Sequence, residues 1–553
     1  MAGLSRTSPR TLAVAAALWL ATFLLYWPVH GFEFLSYDDG DYVTGNPHVL
    51  GGLTGANVGW AFVHFHSSNW HPLTWISHML DVTLFGLQPG PHHLVNVALH
   101  STNAALLFLI LFATTGATWP SAFVAAVFAW HPLHVESVAW ISERKDVLAV
   151  FFCLLAIAAY IRYVRVRSRG CYLIVLVFYA AALMAKPTAV TLPCLLLLLD
   201  YWPLRRANLS RSSSRDWIAL LREKIPLITL AAASCFITLK AQQSSGSLIA
   251  TEHLPLAHRA GNALLSYWAY LEQFVWPVNL AVFYPIPASL AGWKIVGAGL
   301  VFILGSVVSI VLRKKQPYLF AGWFWFIGAL IPMIGLVQVG DQARADRYMY
   351  LPLIGLAIIV AWGIPELLQQ FSQSPTINST IFISTSALAL LACLSISNHQ
   401  LSYWHNGIAL FQHALDVTKD NWYAHGNLAT SFARRGRVDL AIEQYRKLLA
   451  IKPDSVDALN NLAWHLSTAA DDRLRDGPEA LALARRAVQS SKTVNASLLD
   501  TLAAALAENG EFVEATRTAQ HAIELANAAG QTQVAARMET RLNAYRLGRS
   551  YRE

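Results

Sequence analysis

Long apolar runs separated by short polar breaks dominate the chain up to about residue 400. They fall at 11–29, 93–115, 119–131, 144–164, 171–186, 187–202, 225–241, 294–312, 318–338, 348–368 and 378–397. Each is near, or somewhat below, the roughly 20 residues a helix needs to cross hydrocarbon. The pattern therefore predicts about eleven membrane spans. Segment 262–284 is ambiguous, because it is aromatic-rich yet carries Glu272, Trp276-Pro277 and Asn279. Arg6 and Arg10 precede the first run and no small-residue cleavage site follows it. That run is read as an uncleaved helix.

Beyond residue 400 the pattern turns to amphipathic helices rich in Ala, Leu, Arg, Glu and Asn. Leu428-Ala429 and Leu462-Ala463 lie 34 residues apart, the tetratricopeptide period. Ala441 and Ala515 follow Leu428 and Leu502 by 13 residues, and Gly436 and Gly510 hold matching turn positions. About five extra residues around Asp471–Asp476 account for the 40-residue step from Leu462 to Leu502. Three repeats are expected, with a half-repeat at 403–416 and a capping helix near 535–548. Small residues let such helix pairs approach and stack into a solenoid. The domain division read from the sequence is 1–400 for the membrane part and 401–553 for the repeats. The repeats hold no clustered acid-base or metal signature and are read as a binding surface.

Composition agrees with a membrane protein. Only 13% of the 553 residues are charged and 55% are hydrophobic, against roughly 25% charged in a soluble domain. The net charge of +8 does not point to nucleic acid, because much of it sits in short loops between apolar runs. Arg162, Arg165, Arg167 and Arg169 form one cluster, Arg205, Arg206, Arg211 and Arg215 a second, and Arg313, Lys314 and Lys315 a third. Positive loops stay in the cytoplasm. All three do so, with the N-terminus inside, if 262–284 does not fully cross. Residues 242–292 then form an external region with an interfacial or half-inserted helix, and everything after 398 is extracytoplasmic. Cys153, Cys171, Cys194, Cys235 and Cys393 lie in or beside apolar runs, which suits small buried hydrophobes rather than disulfides or zinc.

The polar residues left over carry the chemistry. Asp38-Asp39 follows the first span in a long external loop, 30–92. Ionised carboxylates resist burial, so the pair reads as the acid-base end of a site at the membrane surface, or as a solvated turn, since Asp-Gly is ordinary turn chemistry. His93, Asn96, His100 and Asn103 share one face of the second span. Such a stripe faces protein or water, as a functional surface or as interhelical hydrogen bonding. On this topology three further external segments supply Arg144 and Lys145, Lys186, and Arg344 and Arg347. Carboxylates beside a ring of cations fit transfer from a phosphate leaving group. Snorkelling to lipid phosphates is the simpler account of Arg144 and Lys145.

Several of these stretches resemble one family. Tyr37-Asp38-Asp39, His131-Pro132-Leu133-His134-Val135-Glu136 with Arg144-Lys145-Asp146, and Ala345-Asp346-Arg347-Tyr348-Met349-Tyr350-Leu351-Pro352 look like the bacterial relatives of the transmembrane and tetratricopeptide-repeat O-mannosyltransferases. Leu183-Met184-Ala185-Lys186-Pro187 and Leu199-Asp200-Tyr201-Trp202-Pro203-Leu204 add to the match, which runs in order across roughly residues 10–400. The resemblance implies an all-α protein, a GT-C-type helical membrane domain followed by the repeat solenoid. It implies a glycosyltransferase that moves a sugar from a polyprenyl-phosphate- or polyprenyl-diphosphate-linked donor to a hydroxyl of a protein, glycan or lipid. In the related protein O-mannosyltransferases the acidic pair is Asp-Glu, whereas here it is Asp-Asp.

The expected catalytic base is Asp39, with Asp38 as the alternative. Arg144, Lys145, Lys186, Arg344 and Arg347 are expected on the donor phosphate. His93, His131, His134, Glu136, Asp346 and Tyr348 are expected to support them. No metal is favoured, although Asp38, Asp39, Asp41, Glu136 and nearby histidines could ligate one. The expected setting is a bacterial inner membrane with the site on the periplasmic side. Two other classes compete: a membrane-anchored repeat scaffold for envelope assembly, and a transporter. A transporter would show a two-fold repeat among its spans, and none is evident.

Overall fold

A computed structural model describes residues 8–206, 214–244, 254–338, 340–371, 374–491 and 493–553. Arg211 of the second basic loop, and 245–253 of the expected external region, lie outside the described residues. The chain divides into two compact units, Met1–Asn406 and Gly407–Glu553. Among the described residues the only strands are Tyr284–Pro285 and Gln342–Arg344, a short antiparallel pair. The protein is all-α.

Among the described residues of the first unit, seven helices are long and apolar enough to cross a membrane: Pro9–Gly31, Pro89–Thr115, Ile141–Val166, Asp216–Ser244, Gly292–Leu312, Leu353–Gln370 and Thr376–His405. Thr118–Trp130 and Pro132–Ala139 form an eighth, bent by 52°. Arg169–Ala185, Pro187–Tyr201 and Pro317–Leu330 are shorter apolar helices. These coincide with the eleven apolar segments of the sequence, and the protein is a multi-pass membrane protein. Leu256–Val275, within the ambiguous region, is helical but is not among the spans. Leu300, Leu304 and Val311 on one helix, and Leu388 and Leu391 on another, stay exposed. Lipid tails are as apolar as leucine, so such side chains need no protein partner.

Packing between helices relies on close approach and on polar glue. A Cβ at Gly322 would lie 2.5 Å from Gly355 O, and one at Gly355 would lie 2.3 Å from Gly322 O. Only glycine at both positions lets Pro317–Leu330 and Leu353–Phe371 touch backbone to backbone. The polar stripe of the second span resolves as interhelical hydrogen bonding. Asn96 Nδ2 donates to Trp140 O at 2.8 Å, and Asn103 Nδ2 donates to Val147 O at 2.9 Å. His100 Nδ1 lies 2.7 Å from Tyr350 Oη.

A second ion network has no counterpart among the sequence expectations. Asp200, from the Leu199–Leu204 motif, is fully buried. It accepts from Lys224 Nζ at 2.8 Å and from Arg206 Nη1 at 2.9 Å. Tyr160 and Glu223 complete the group. Its acids and bases satisfy one another, which is what burying charge requires. The motif therefore ties helix ends together and does not line the cavity described below.

The second unit stacks helix pairs: Trp422–Arg434 with Val438–Ile451, Val456–Thr468 with Gly477–Ser490, and Ala496–Glu508 with Phe512–Ala528. Gly407–Val417 precedes them and Thr532–Arg546 follows. Gly436 (φ +73°) and Gly510 (φ +80°) make the left-handed turns inside two of the pairs. Asn421, Asp476 and Asn495 cap the following helices through their side-chain oxygens. Ala441, Ala463, Ala503 and Ala515 are fully buried where the helices meet.

Candidate active site

The site grows from a break in the chain between Trp130 and Arg144. Pro132 cannot donate a backbone hydrogen bond and biases its predecessor towards extended geometry. His131 is extended, at φ −74° and ψ 133°. Two single 3₁₀ turns, Pro132–His134 and Ile141–Glu143, flank the short helix Val135–Ala139. All of this irregular backbone is buried in protein, which shields its polar groups. The long helix then opens at Arg144, directly after Glu143.

Glu143 is the centre of the charge arrangement. It is 1% exposed. Its Oε1 lies 3.1 Å from Lys145 Nζ and 3.3 Å from Arg347 Nε, and its Oε2 lies 3.2 Å from Lys186 Nζ. Lys186 also donates to Asp146 Oδ1 at 2.6 Å. Arg347 pairs through Nη1 with Glu136, which also accepts the Arg347 backbone N–H at 3.0 Å. Three cations from three separate segments are thus held around one buried carboxylate, with two more behind them. Each cation keeps N–H donors beyond those its carboxylates use.

These cations face a cavity of about 650 Å³. Asp38, Asp41, Tyr42, Glu143, Lys145, Lys186, Arg347, Tyr348, Gln338 and Gln342 line its polar side. Val190, Leu239, Met333 and Val337 line its apolar side. Tyr42 lies under Lys145, whose Nζ is 4.5 Å from the ring centroid. Burial pushes the Tyr42 hydroxyl up to about 12, so it stays protonated as a donor.

The two aspartates have opposite environments. Asp38 opens on the cavity, its side chain 38% exposed and its Oδ2 3.8 Å from Lys145 Nζ. Enclosure raises its pKa above the usual carboxylate value, and Lys145 and Arg347 oppose that rise without cancelling it. Asp39 is fully buried. Its Oδ2 accepts the Leu35 N–H at 2.9 Å, and its Oδ1 accepts the Ser142 N–H at 3.0 Å and the Ser142 hydroxyl at 2.5 Å. Burial pushes Asp39 up to about 6 against those bonds. With both oxygens occupied and no face on the cavity, Asp39 fixes the loop to the 141–143 turn. Of the two aspartates, Asp38 is the one that lines the cavity.

The other expected site residues divide in the same manner. Lys145, Lys186, Arg347 and Tyr348 line the cavity. Arg144 does not. It is fully buried, and its guanidinium is used by Ser77 Oγ at 2.7 Å, Asp81 Oδ2 at 2.7 Å, His92 O at 2.8 Å and Asn96 Oδ1. Arg344 lies over the Tyr284 ring, 4.0 Å from its centroid, away from the cavity lining. Asp346 accepts from Tyr284 Oη at 2.9 Å, and burial holds its pKa well above the ordinary range. His93 lies 3.4 Å from Glu33 O, His131 3.1 Å from Phe274 O, and His134 2.6 Å from Phe128 O. These histidines brace backbone. Glu136 acts through Arg347.

Glu143, Asp146 and Tyr42 were not among the expected site residues. An acid in the first turn of a helix is ordinary capping chemistry, so nothing in the sequence separated Glu143 from that use.

No protein-family model matches the chain. It is similar to the human protein O-mannosyl-transferase TMTC1, 24% identical over 510 residues, covering 81% of this chain and 56% of the relative. Human TMTC4 is 25% identical over 435 residues, covering 68% and 57%. Drosophila melanogaster Tmtc1 is 32% identical over 191 residues, covering 33% and 22%. The chain spans little more than half the length of the two human relatives. Similarity of this extent relates it to the transmembrane and tetratricopeptide-repeat O-mannosyltransferases.

Proposed function

We propose that this relative of the O-mannosyltransferases is a GT-C-type glycosyltransferase. It moves a sugar from a polyprenyl-phosphate-linked donor to a hydroxyl of a protein or glycan, at the extracytoplasmic face of a bacterial inner membrane. The observation that carries the proposal is the cavity itself, in which Asp38 opposes Lys145, Lys186 and Arg347. Related proteins named for mannose transfer to protein make mannose and a Ser or Thr side chain the first donor and acceptor to try.

In the proposed step Asp38 takes the proton of the acceptor hydroxyl. The freed oxygen attacks the anomeric carbon from the side opposite the phosphate, and the bond from that carbon to the phosphate oxygen breaks. Its electron pair leaves with the polyprenyl phosphate, and the anomeric configuration inverts. A carboxylate with a raised pKa is a stronger base, and such assistance contributes roughly 10²–10⁴-fold. Lys145, Lys186 and Arg347 meet the leaving phosphate with donors already fixed by Glu143, Glu136 and Asp146. Preorganised donors need not reorient as charge develops. The apolar wall of Val190, Leu239, Met333 and Val337 suits the first isoprene units of the carrier. The repeat unit offers the acceptor-binding or partner-binding surface.

The test is transfer by the purified full chain in nanodiscs, using polyprenyl-phosphate mannose and a Ser/Thr-rich peptide, read by mass spectrometry. Transfer lost in Lys186→Met and Arg347→Met but present in the parent supports the proposal. Full transfer by both variants overturns the assignment. A scaffold would show no transfer with any polyprenyl-phosphate sugar and would tolerate both changes.

A further inference from the structure

Behind the cavity lies a polar cluster that the proposed reaction does not use. His78 and Asp81 share one face of the helix Pro72–Phe85, three residues apart, and His92 opens the helix Pro89–Thr115. One ligating atom from each lies within 4.8 Å of the other two. All three residues are buried, His78 and His92 completely.

Two observations indicate a cation among them. Neither ring nitrogen of His78 has a hydrogen-bond partner among the described residues. A fully desolvated imidazole with both nitrogens uncompensated is unfavourable. The second concerns the His92 tautomer. His92 Nε2 lies 2.9 Å from Gly86 O, and a carbonyl only accepts, so Nε2 carries a proton and, in the neutral ring, Nδ1 holds a lone pair with no hydrogen-bond partner among the described residues. That lone pair faces Asp81 Oδ2 at 3.6 Å. Acceptor against acceptor is repulsive unless a positive charge lies between them. Anchoring the far nitrogen to a carbonyl is how proteins orient a metal-binding imidazole. Arg144 Nη2 also meets Asp81 Oδ2 at 2.7 Å.

We propose that His78, Asp81 and His92 form a structural site for one borderline divalent transition ion, zinc by class. Two imidazoles and one carboxylate are a zinc donor set. Mg²⁺ and Ca²⁺ demand oxygen ligands, and the adjacent Arg144 charge works against any ion held by charge alone. Nitrogen ligation is what selects zinc here. The ion ties the external helix Pro72–Phe85 to the start of the second span. It also fixes the carboxylate that holds Arg144, next in sequence to Glu143 and Lys145. Tyr42 lines the cavity and meets His78 edge-on at 6.4 Å, while His78, Asp81 and His92 are not in the cavity lining, so the ion is given no part in the transfer step.

The experiment uses the full chain without a polyhistidine tag, purified in detergent and stripped with chelator. Zinc is added back, excess is removed, and metal is counted by mass spectrometry. About one zinc per chain is expected in the parent, with affinity at least about tenfold weaker in His78→Phe and His92→Gln. Co²⁺ in place of zinc should give visible absorption bands at one equivalent, absent in His78→Phe. Unchanged elution and helical circular dichroism show that the variants remain folded. The proposal is overturned if the parent retains less than about a tenth of an equivalent. It is overturned equally if folded His78→Phe binds zinc as the parent does. Should both variants fail to fold, the parent decides alone: colourless Co²⁺ at one equivalent rejects the site.

Discussion

Asparagine at position 38 and asparagine at position 39 should have opposite consequences, although the residues are neighbours. In Asp39→Asn, one oxygen can still accept from Ser142, but an amide N–H₂ now faces the Leu35 N–H in place of Oδ2. Two buried donors then confront each other unpaired, each costing roughly 1–3 kcal/mol. The expected loss is about 2–6 kcal/mol, a large part of the roughly 5–15 kcal/mol that holds a domain folded. In Asp38→Asn the lost contact is a 3.8 Å approach to Lys145 by a side chain 38% exposed. An exposed pair of that kind contributes about 1 kcal/mol or less. Activity should move the other way. Without its base, Asp38→Asn should lose roughly 10²–10⁴ in turnover, or about 2.7–5.4 kcal/mol of transition-state stabilisation. Thermal unfolding in detergent and initial rates of sugar transfer read the two effects separately. An Asp38→Asn protein within tenfold of the parent rate, or an Asp39→Asn protein as stable as the parent, would refute the assignment.

Other outcomes follow from the same geometry. In metal-free protein Arg144→Ala strands the buried Asp81 carboxylate and should cost about 3–5 kcal/mol, seen as a lowered melting temperature with little change in donor KM among surviving molecules. The transfer rate should rise with pH through the raised pKa of Asp38, because a general base works only when deprotonated. That limb of the pH–rate profile should vanish from the residual activity of Asp38→Asn, and a limb that persists would assign it to another group. Leu462, 1% exposed between stacked repeat helices, should cost about 2–5 kcal/mol when cut to alanine. Denaturant unfolding of the full chain, followed through repeat-unit probes, checks this.

Much of the architecture was legible because it depends on composition over long windows. Eleven apolar runs became eleven helical segments, and a 34-residue spacing became stacked helix pairs. The site was less legible, because it depends on helical phase and on what each side chain meets. Arg144 and Lys145 are adjacent, yet successive helix positions point about 100° apart. One turns in to Asp81 and the other out to the cavity. The reading of Arg144 as a phosphate ligand rested on charge and side of the membrane, and neither gives phase. The environments of Asp38 and Asp39 were illegible for a related reason: only the three-dimensional approach of Ser142 and Leu35 shows that both Asp39 oxygens are occupied. His93, His131 and His134 read as supports of the site, whereas the backbone carbonyls of Glu33, Phe274 and Phe128 account for where they point. The His78, Asp81 and His92 cluster joins two helices across a turn, and no short motif spans it.

The central claim is that a donor phosphate sits among Lys145, Lys186 and Arg347, within reach of Asp38. A cryo-electron microscopy structure of the full chain with a non-hydrolysable polyprenyl-phosphate sugar tests it most directly. Phosphate density within hydrogen-bond reach of those three cations, with the anomeric carbon facing Asp38, is the predicted result. Phosphate density outside the cavity, or sugar turned away from Asp38, would contradict it.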